Sequence, residues 1–217
     1  MTALPRLHVV TDDAMLRRGG FEARAVEVLE AGGADLALHL RGPSADGALL
    51  YALARTLLPH ARRSGALLFV NDRLDVALAL EVDGAHLGHR SLGVRIAREL
   101  LGDALWLGAS VRDAREASAA ADEGADYVFL GTIFATPSHP GVAGMGVEGL
   151  SAVTGRLKGT VPVLGIGGID AARVGEVLGA GAHGIVVVRG VWDSRNPAAA
   201  VRRYEEAISA ASVVGTG

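Results

Sequence analysis

The chain has 217 residues, with 21 Lys and Arg against 24 Asp and Glu, a net charge of −3 at pH 7 and no cysteine. A weakly acidic chain lacks the basic field that sequence-independent nucleic-acid binding needs, and without cysteine there are no disulfides, thiolate metal sites or cysteine nucleophiles. Half the residues are hydrophobic but only 4% are aromatic, so a sizeable core must be built mainly from Ala, Val, Leu and Ile.

Short runs rich in Val, Leu and Ile alternate along the whole chain with longer Ala-rich, charge-bearing stretches of helical period. The spacing predicts strands at 6–11, 35–41, 67–71, 84–87, 105–109, 126–130, 162–165 and 184–187. Helices are expected between them, at 20–32, 46–63, 73–80, 92–101, 112–123, 146–157, 170–178 and 197–210, each long enough for a crossover to a parallel neighbour. Three near-repeated turns, Ala31-Gly32-Gly33-Ala34-Asp35, Asp122-Glu123-Gly124-Ala125-Asp126 and Gly179-Ala180-Gly181-Ala182-His183, stand where a helix should end and a strand begin. Glycine there suits a left-handed helix C-terminus. Eight βα units fit a single-domain (β/α)8 TIM barrel over residues 1–217, whereas a doubly wound sheet more often stops at five or six strands. No stretch approaches the ~20 apolar residues of a membrane span, and no charged leader precedes an apolar stretch at the N-terminus. The expectation is a cytoplasmic protein with neither membrane nor nucleic-acid partner, and with an oligomeric state, homo-oligomer included, that the sequence leaves open.

In such a barrel the reactive groups gather just past the C-terminal ends of the strands. Gly165-Ile166-Gly167-Gly168 follows the seventh strand and Val188-Arg189-Gly190 the eighth. Gly167, Gly168, Val188 and Arg189 are therefore the candidate phosphate grip, because glycine lets backbone N–H groups approach an anion. The alternative is that these glycines only turn a corner. The Pro- and Gly-rich connection from Thr136 to Gly146 reads as a binding loop or a solvated one; Thr136 and Ser138 offer hydroxyls, and His139 a proton carrier near neutral pH. Asn71 and Asp72 end the third strand. Either Asp72 caps the next helix, or it takes a cation that substrate phosphates complete; Asp75 reads as a helix-dipole residue. His39 is either a satisfied core histidine or a proton carrier.

These segments, taken in order, resemble the thiamine-phosphate synthase and TenI superfamily of TIM barrels. The resemblance is carried by Val9-Val10-Thr11-Asp12, Val70-Asn71-Asp72-Arg73-Leu74-Asp75-Val76-Ala77, Asp83-Gly84-Ala85-His86-Leu87-Gly88, Gly124-Ala125-Asp126-Tyr127, Gly131-Thr132-Ile133-Phe134-Ala135-Thr136 and Gly165-Ile166-Gly167-Gly168-Ile169. It implies a phosphorylated thiazole at the barrel mouth. Synthases join a pyrimidine pyrophosphate to thiazole phosphate with Mg²⁺, and their pattern implies roles for Arg41, Asn71, Asp72, Ser110, Thr136, Ser138 and the glycine pair, with Asp72 as a metal ligand. Three of their contacts are missing. The strand-2 Lys is Pro43, the second magnesium Asp is Ser91, and the loop Lys is His139. Loss of charge opposite a departing diphosphate typically costs ~10²–10³ in rate per contact, which turns the expectation toward the TenI branch: a thiazole tautomerase, an isomerase needing no cofactor. The catalytic His of that branch is Thr132 here, so His139 or His39 would move the proton, with Arg41 and Asn71 orienting the ring. The runner-up is a divergent synthase using Mg²⁺; a third reading is a thiazole-phosphate binder without turnover.

Overall fold

A computed structural model describes residues 3–136, 141 and 143–214. Eight strands close into an all-parallel barrel in sequence order: β1 (Leu7–Val10), β2 (Leu36–Leu40), β3 (Leu67–Asn71), β4 (Gly84–Leu87), β5 (Trp106–Val111), β6 (Tyr127–Gly131), β7 (Val163–Ile166) and β8 (Gly184–Val187). The helices are α1 (Asp13–Leu16), α2 (Phe21–Gly32), α3 (Gly47–Ser64), α4 (Leu74–Leu80), α5 (Val94–Leu101), α6 (Ala114–Asp122), α7 (Gly146–Leu157), α8 (Val174–Gly179), α9 (Arg189–Trp192) and α10 (Pro197–Val214). Every expected strand is present. The one-turn helices α1 and α9 were not expected, and the segment read as one helix from 170 opens with a 3₁₀ turn at Ala171–Arg173 before α8.

Strand residues alternate between two cores, as the period of two demands. Leu7, Val9, Leu36, Leu38, Leu40, Leu68 and Val70 face the helices, while Ala37, Leu67, Phe69, Tyr127, Phe129, Leu164 and Val186 fill the barrel. Most of the barrel's bulk comes from three of the few aromatic residues together with the buried histidines His8, His39 and His86. Glycine on neighbouring strands makes room for the rings: a Cβ at Gly108 would lie 2.1 Å from Tyr127 Cζ, and one at Gly84 would lie 2.4 Å from Phe69 Cε1. The three recurrent turns place Gly33, Gly124 and Gly181 at φ 48°, 102° and 88°, the left-handed region expected of them. Among the described residues no helix is long and apolar enough to cross a membrane.

Candidate functional site

The mouth of the barrel carries two stations built in different ways. On the β6–β8 side the construction is backbone on backbone. Ile133 N–H donates to the Ile166 carbonyl at 2.9 Å and Phe134 N–H to the Gly167 carbonyl at 3.0 Å, which lays the β6 loop along the end of β7. Gly167 and Gly168 follow at φ 104° and 64°. A Cβ on Gly168 would meet the Ala135 carbonyl oxygen at 2.7 Å and Phe134 Cβ at 2.8 Å; one on Gly167 would meet Thr132 Cγ2 at 2.7 Å. Only glycine fits at either position. The Arg173 guanidinium covers this corner, donating to the Gly168 carbonyl at 3.3 Å and lying 4.5 Å from the Phe134 ring centroid. Val188 is half-buried at the start of α9, and Arg189 is exposed beside it. Thr132 and Thr136 flank the same corner in the β6 loop. Ser138 and His139 lie outside the described residues.

The β2–β5 side is built from side chains. Arg41 is fixed through its backbone: its N–H donates to Thr11 Oγ1 at 2.8 Å, and the same hydroxyl donates back to the Arg41 carbonyl at 2.9 Å. Asp72 takes a left-handed backbone at φ 63°. It does not cap α4, whose first turn receives no side-chain cap. Its Oδ1 instead accepts the Gly88 N–H at 2.8 Å and the Ser91 hydroxyl. Asp75 pairs with Arg73, Nε to Oδ1 at 2.8 Å, and this ion pair holds the Asp75 carboxyl below its usual range. Among the described residues no group of three His, Asp or Glu side chains could hold a metal ion. Asp72 thus offers one carboxylate, which suits Mg²⁺ only where ligand phosphates supply further oxygens.

Beneath this side lies the histidine cluster. His39, buried completely, stacks on Phe69 at 4.6 Å between ring centroids. Its Nε2 is 2.9 Å from His8 Nδ1 and its Nδ1 is 3.2 Å from Asn71 Oδ1. Burial drives the His39 pKa down to about 3, so the ring is neutral at physiological pH and both nitrogens are engaged within the protein. His86 stacks on Phe129 at 3.9 Å and meets Ser110 Oγ through Nε2 at 2.9 Å. Burial, followed by the charge of His39, lowers its pKa as well. His8 and His86 are site residues that the sequence does not mark out, and Ser91, which stands where the family has an Asp, keeps a contact with Asp72. Strand parity was the available signal for the two histidines: His8, His39 and His86 all fall on inward-facing positions.

Residues 7–191 match the family described as thiamine monophosphate synthase. The chain is 40% identical over 205 residues to the thiamine-phosphate synthase of Chloroflexus aurantiacus, covering 94% of this chain and 93% of that protein. With the thiamine-phosphate synthase of Moorella thermoacetica it shares 43% over 183 residues, 83% of this chain and 85% of the other. Among solved structures, thiamine phosphate pyrophosphorylase from Pyrococcus furiosus superposes with a TM-score of 0.82 at 33% identity, covering 95% and 96% of the two chains. These relatives carry the synthase name, and they overturn the expectation of a TenI-like tautomerase and of an isomerase. The replacement of two Lys and one Asp in the family pattern therefore does not mark a change of reaction. The proton carrier which that reading required is not supplied by His39, whose ring is neutral, buried and hydrogen-bonded on both nitrogens. The chain belongs to the thiamine monophosphate synthase family.

Proposed function

We propose that this chain is a thiamine-phosphate synthase, a transferase that breaks the carbon–oxygen bond of a pyrimidine pyrophosphate and joins the released pyrimidine carbon to the ring nitrogen of a thiazole phosphate. The observation that carries this reading is the extent of the similarity to synthases, at about 40% identity over nearly the whole chain. The mouth supports it by offering separate places for two phosphorylated reactants. The corner of Gly167, Gly168, Thr136 and Val188, with Arg173 and Arg189 nearby, suits the monophosphate of the thiazole, since unstrained glycine backbone and cations favour an anion there. Ser138 is assigned to the same grip. Arg41, Asn71 and Ser110 face the other reactant.

Asp72 is the residue that would hold Mg²⁺, which supplies charge neutralisation for the departing diphosphate when bound. Holding both reactants in line converts a two-body encounter into a local one. Arg41 is the cation that the family pattern retains on this side, and the Thr11 hydroxyl fixes its backbone at the end of β2. With Pro43, Ser91 and His139 in place of a Lys, a magnesium-binding Asp and a second Lys, less positive charge is held opposite the leaving group, and turnover is expected below that of a synthase carrying all three contacts.

Incubation with pyrimidine pyrophosphate, thiazole phosphate and Mg²⁺ tests the proposal. Thiamine phosphate should form, and Asp72→Ala should slow its formation by about 10²-fold or more. Absence of product above the rate without protein would reject the assignment.

A further inference from the structure

Below the proposed pyrimidine station, four groups form an unbroken buried hydrogen-bond chain across the barrel. The Pro5 carbonyl lies 3.1 Å from His8 Nε2, His8 Nδ1 lies 2.9 Å from His39 Nε2, and His39 Nδ1 lies 3.2 Å from Asn71 Oδ1. One end has a fixed sense. A peptide carbonyl can only accept, and proline brings no N–H of its own, so His8 Nε2 carries a proton. In a neutral ring, Nδ1 of His8 is then an acceptor and His39 Nε2 must donate to it. That leaves His39 Nδ1 as an acceptor facing Asn71. Oδ1 at this position would place two acceptors together; a half-turn of the amide about Cβ–Cγ substitutes Nδ2 and supplies the missing donor.

The opposite sense requires an imidazolium at His8, with both nitrogens donating. The ring is buried completely, is packed against Phe69, Tyr127 and Phe129, and has His39 beside it. Desolvation, then the charge of His39, push its pKa well below the usual value. The neutral chain is therefore the one that leaves no buried charge and no buried pair of facing acceptors.

We infer that the His8–His39 pair is a positioning device that locks the Asn71 amide with Nδ2 inward and its carbonyl oxygen toward the mouth. The mouth then presents an acceptor that selects a ligand bearing a hydrogen-bond donor, such as an exocyclic ring amine. The identity of that ligand rests on the synthase reading; the sense of the chain does not. Asn71, on the last residue of β3, makes no other side-chain hydrogen bond among the described residues, which leaves its second amide atom for a ligand. Gln in place of His39 can keep the same order, its amide nitrogen donating to His8 Nδ1 and its oxygen accepting from Asn71; Leu cannot.

Long-range ¹H–¹⁵N spectra of the full chain labelled on histidine nitrogen read the sense directly. Between about pH 5.5 and 8, His8 and His39 should both be neutral Nε2–H tautomers. A proton on His39 Nδ1, or an imidazolium at His8 in that range, would overturn the inference. With thiazole phosphate and Mg²⁺ present and thiamine phosphate formation followed, His39→Leu should raise KM for an amino-substituted pyrimidine pyrophosphate about tenfold with a smaller change in kcat, and His39→Gln should restore it to within about threefold. Equal KM for the two variants would count against a positioning role. If wild type binds no pyrimidine pyrophosphate, the synthase reading fails, while the tautomers still decide the chain's direction.

Discussion

The two sides of the barrel mouth are made of different material. On the β6–β8 side the shape comes from backbone: carbonyls of Ile166 and Gly167 receive the N–H groups of the β6 loop, and two glycines occupy space that no side chain could share. On the β2–β5 side the contacts run through the side chains of Thr11, Asp72 and Ser91. A station made of backbone tolerates no substitution at its glycines, so it either persists or is lost whole. Contacts made by side chains can be lost one at a time while the barrel stays intact: measured against the family pattern, Pro43 and Ser91 stand on this side in place of a Lys and an Asp, and His139 stands in the connection after β6 in place of a Lys.

The strongest way to break this contrast is Gly168→Val. Its Cβ would press on the Ala135 carbonyl and Phe134 Cβ from a left-handed backbone, a conformation that costs a non-glycine residue about 1–3 kcal/mol before any clash is counted. Binding of thiazole phosphate, measured by calorimetry, should weaken by about 10²-fold or more, with binding of pyrimidine pyrophosphate little changed. Comparable losses of both ligands would mean that the two stations are not independently built.

A smaller effect is expected from Ser91→Asp, which adds a second carboxylate beside Asp72. Two adjacent carboxylates repel unless a cation lies between them. The variant should melt a few degrees below wild type without metal and recover in millimolar Mg²⁺, whereas wild type should show little dependence. Half-maximal activity should then need roughly tenfold less Mg²⁺. Melting curves that ignore Mg²⁺ in both proteins would place the metal elsewhere.

The ease with which each side is read from sequence follows the same division. The strands are legible because a parallel sheet buried on both faces leaves continuous apolar runs, and the turn glycines because a left-handed helix end admits little else. The end of β5 was less legible: Ser110 looks like a strand terminus, yet it pairs with Phe129 and the ladder continues to Val111. Gly167 and Gly168 could be located from their place after the seventh strand. Asp72 could not be interpreted so directly, since an Asp before a helix reads as a cap, and only its backbone turn and the return of the chain at Gly88 and Ser91 reveal its partners. The histidine chain was hidden for another reason. Its members are 31 and 32 residues apart in sequence, and their contact depends on barrel register, which sequence periodicity does not supply.

The smallest effect comes from the opposite end of the molecule and serves as a control on both stations. Glu205 on α10 has a buried Oε1 with no hydrogen-bond partner among the described residues. Burial, then the neighbouring charge of Asp35, push its pKa up to about 6. An acid whose folded pKa is raised holds its proton more tightly when folded. Its effect on stability is therefore nil below about pH 4.5 and becomes an increasing penalty as pH rises toward 6, after which it is constant. Glu205 is only partly buried, so solvent screening reduces that penalty to about 1 kcal/mol or less. Glu205→Gln should stabilise the protein against urea by that amount at pH 7.5 and by almost nothing at pH 4.5. Thiazole phosphate and pyrimidine pyrophosphate should bind the variant as they bind wild type. A change in either affinity would show that the stations respond to the opposite rim of the barrel, and the contrast between backbone and side-chain construction would then have to include the core that connects them.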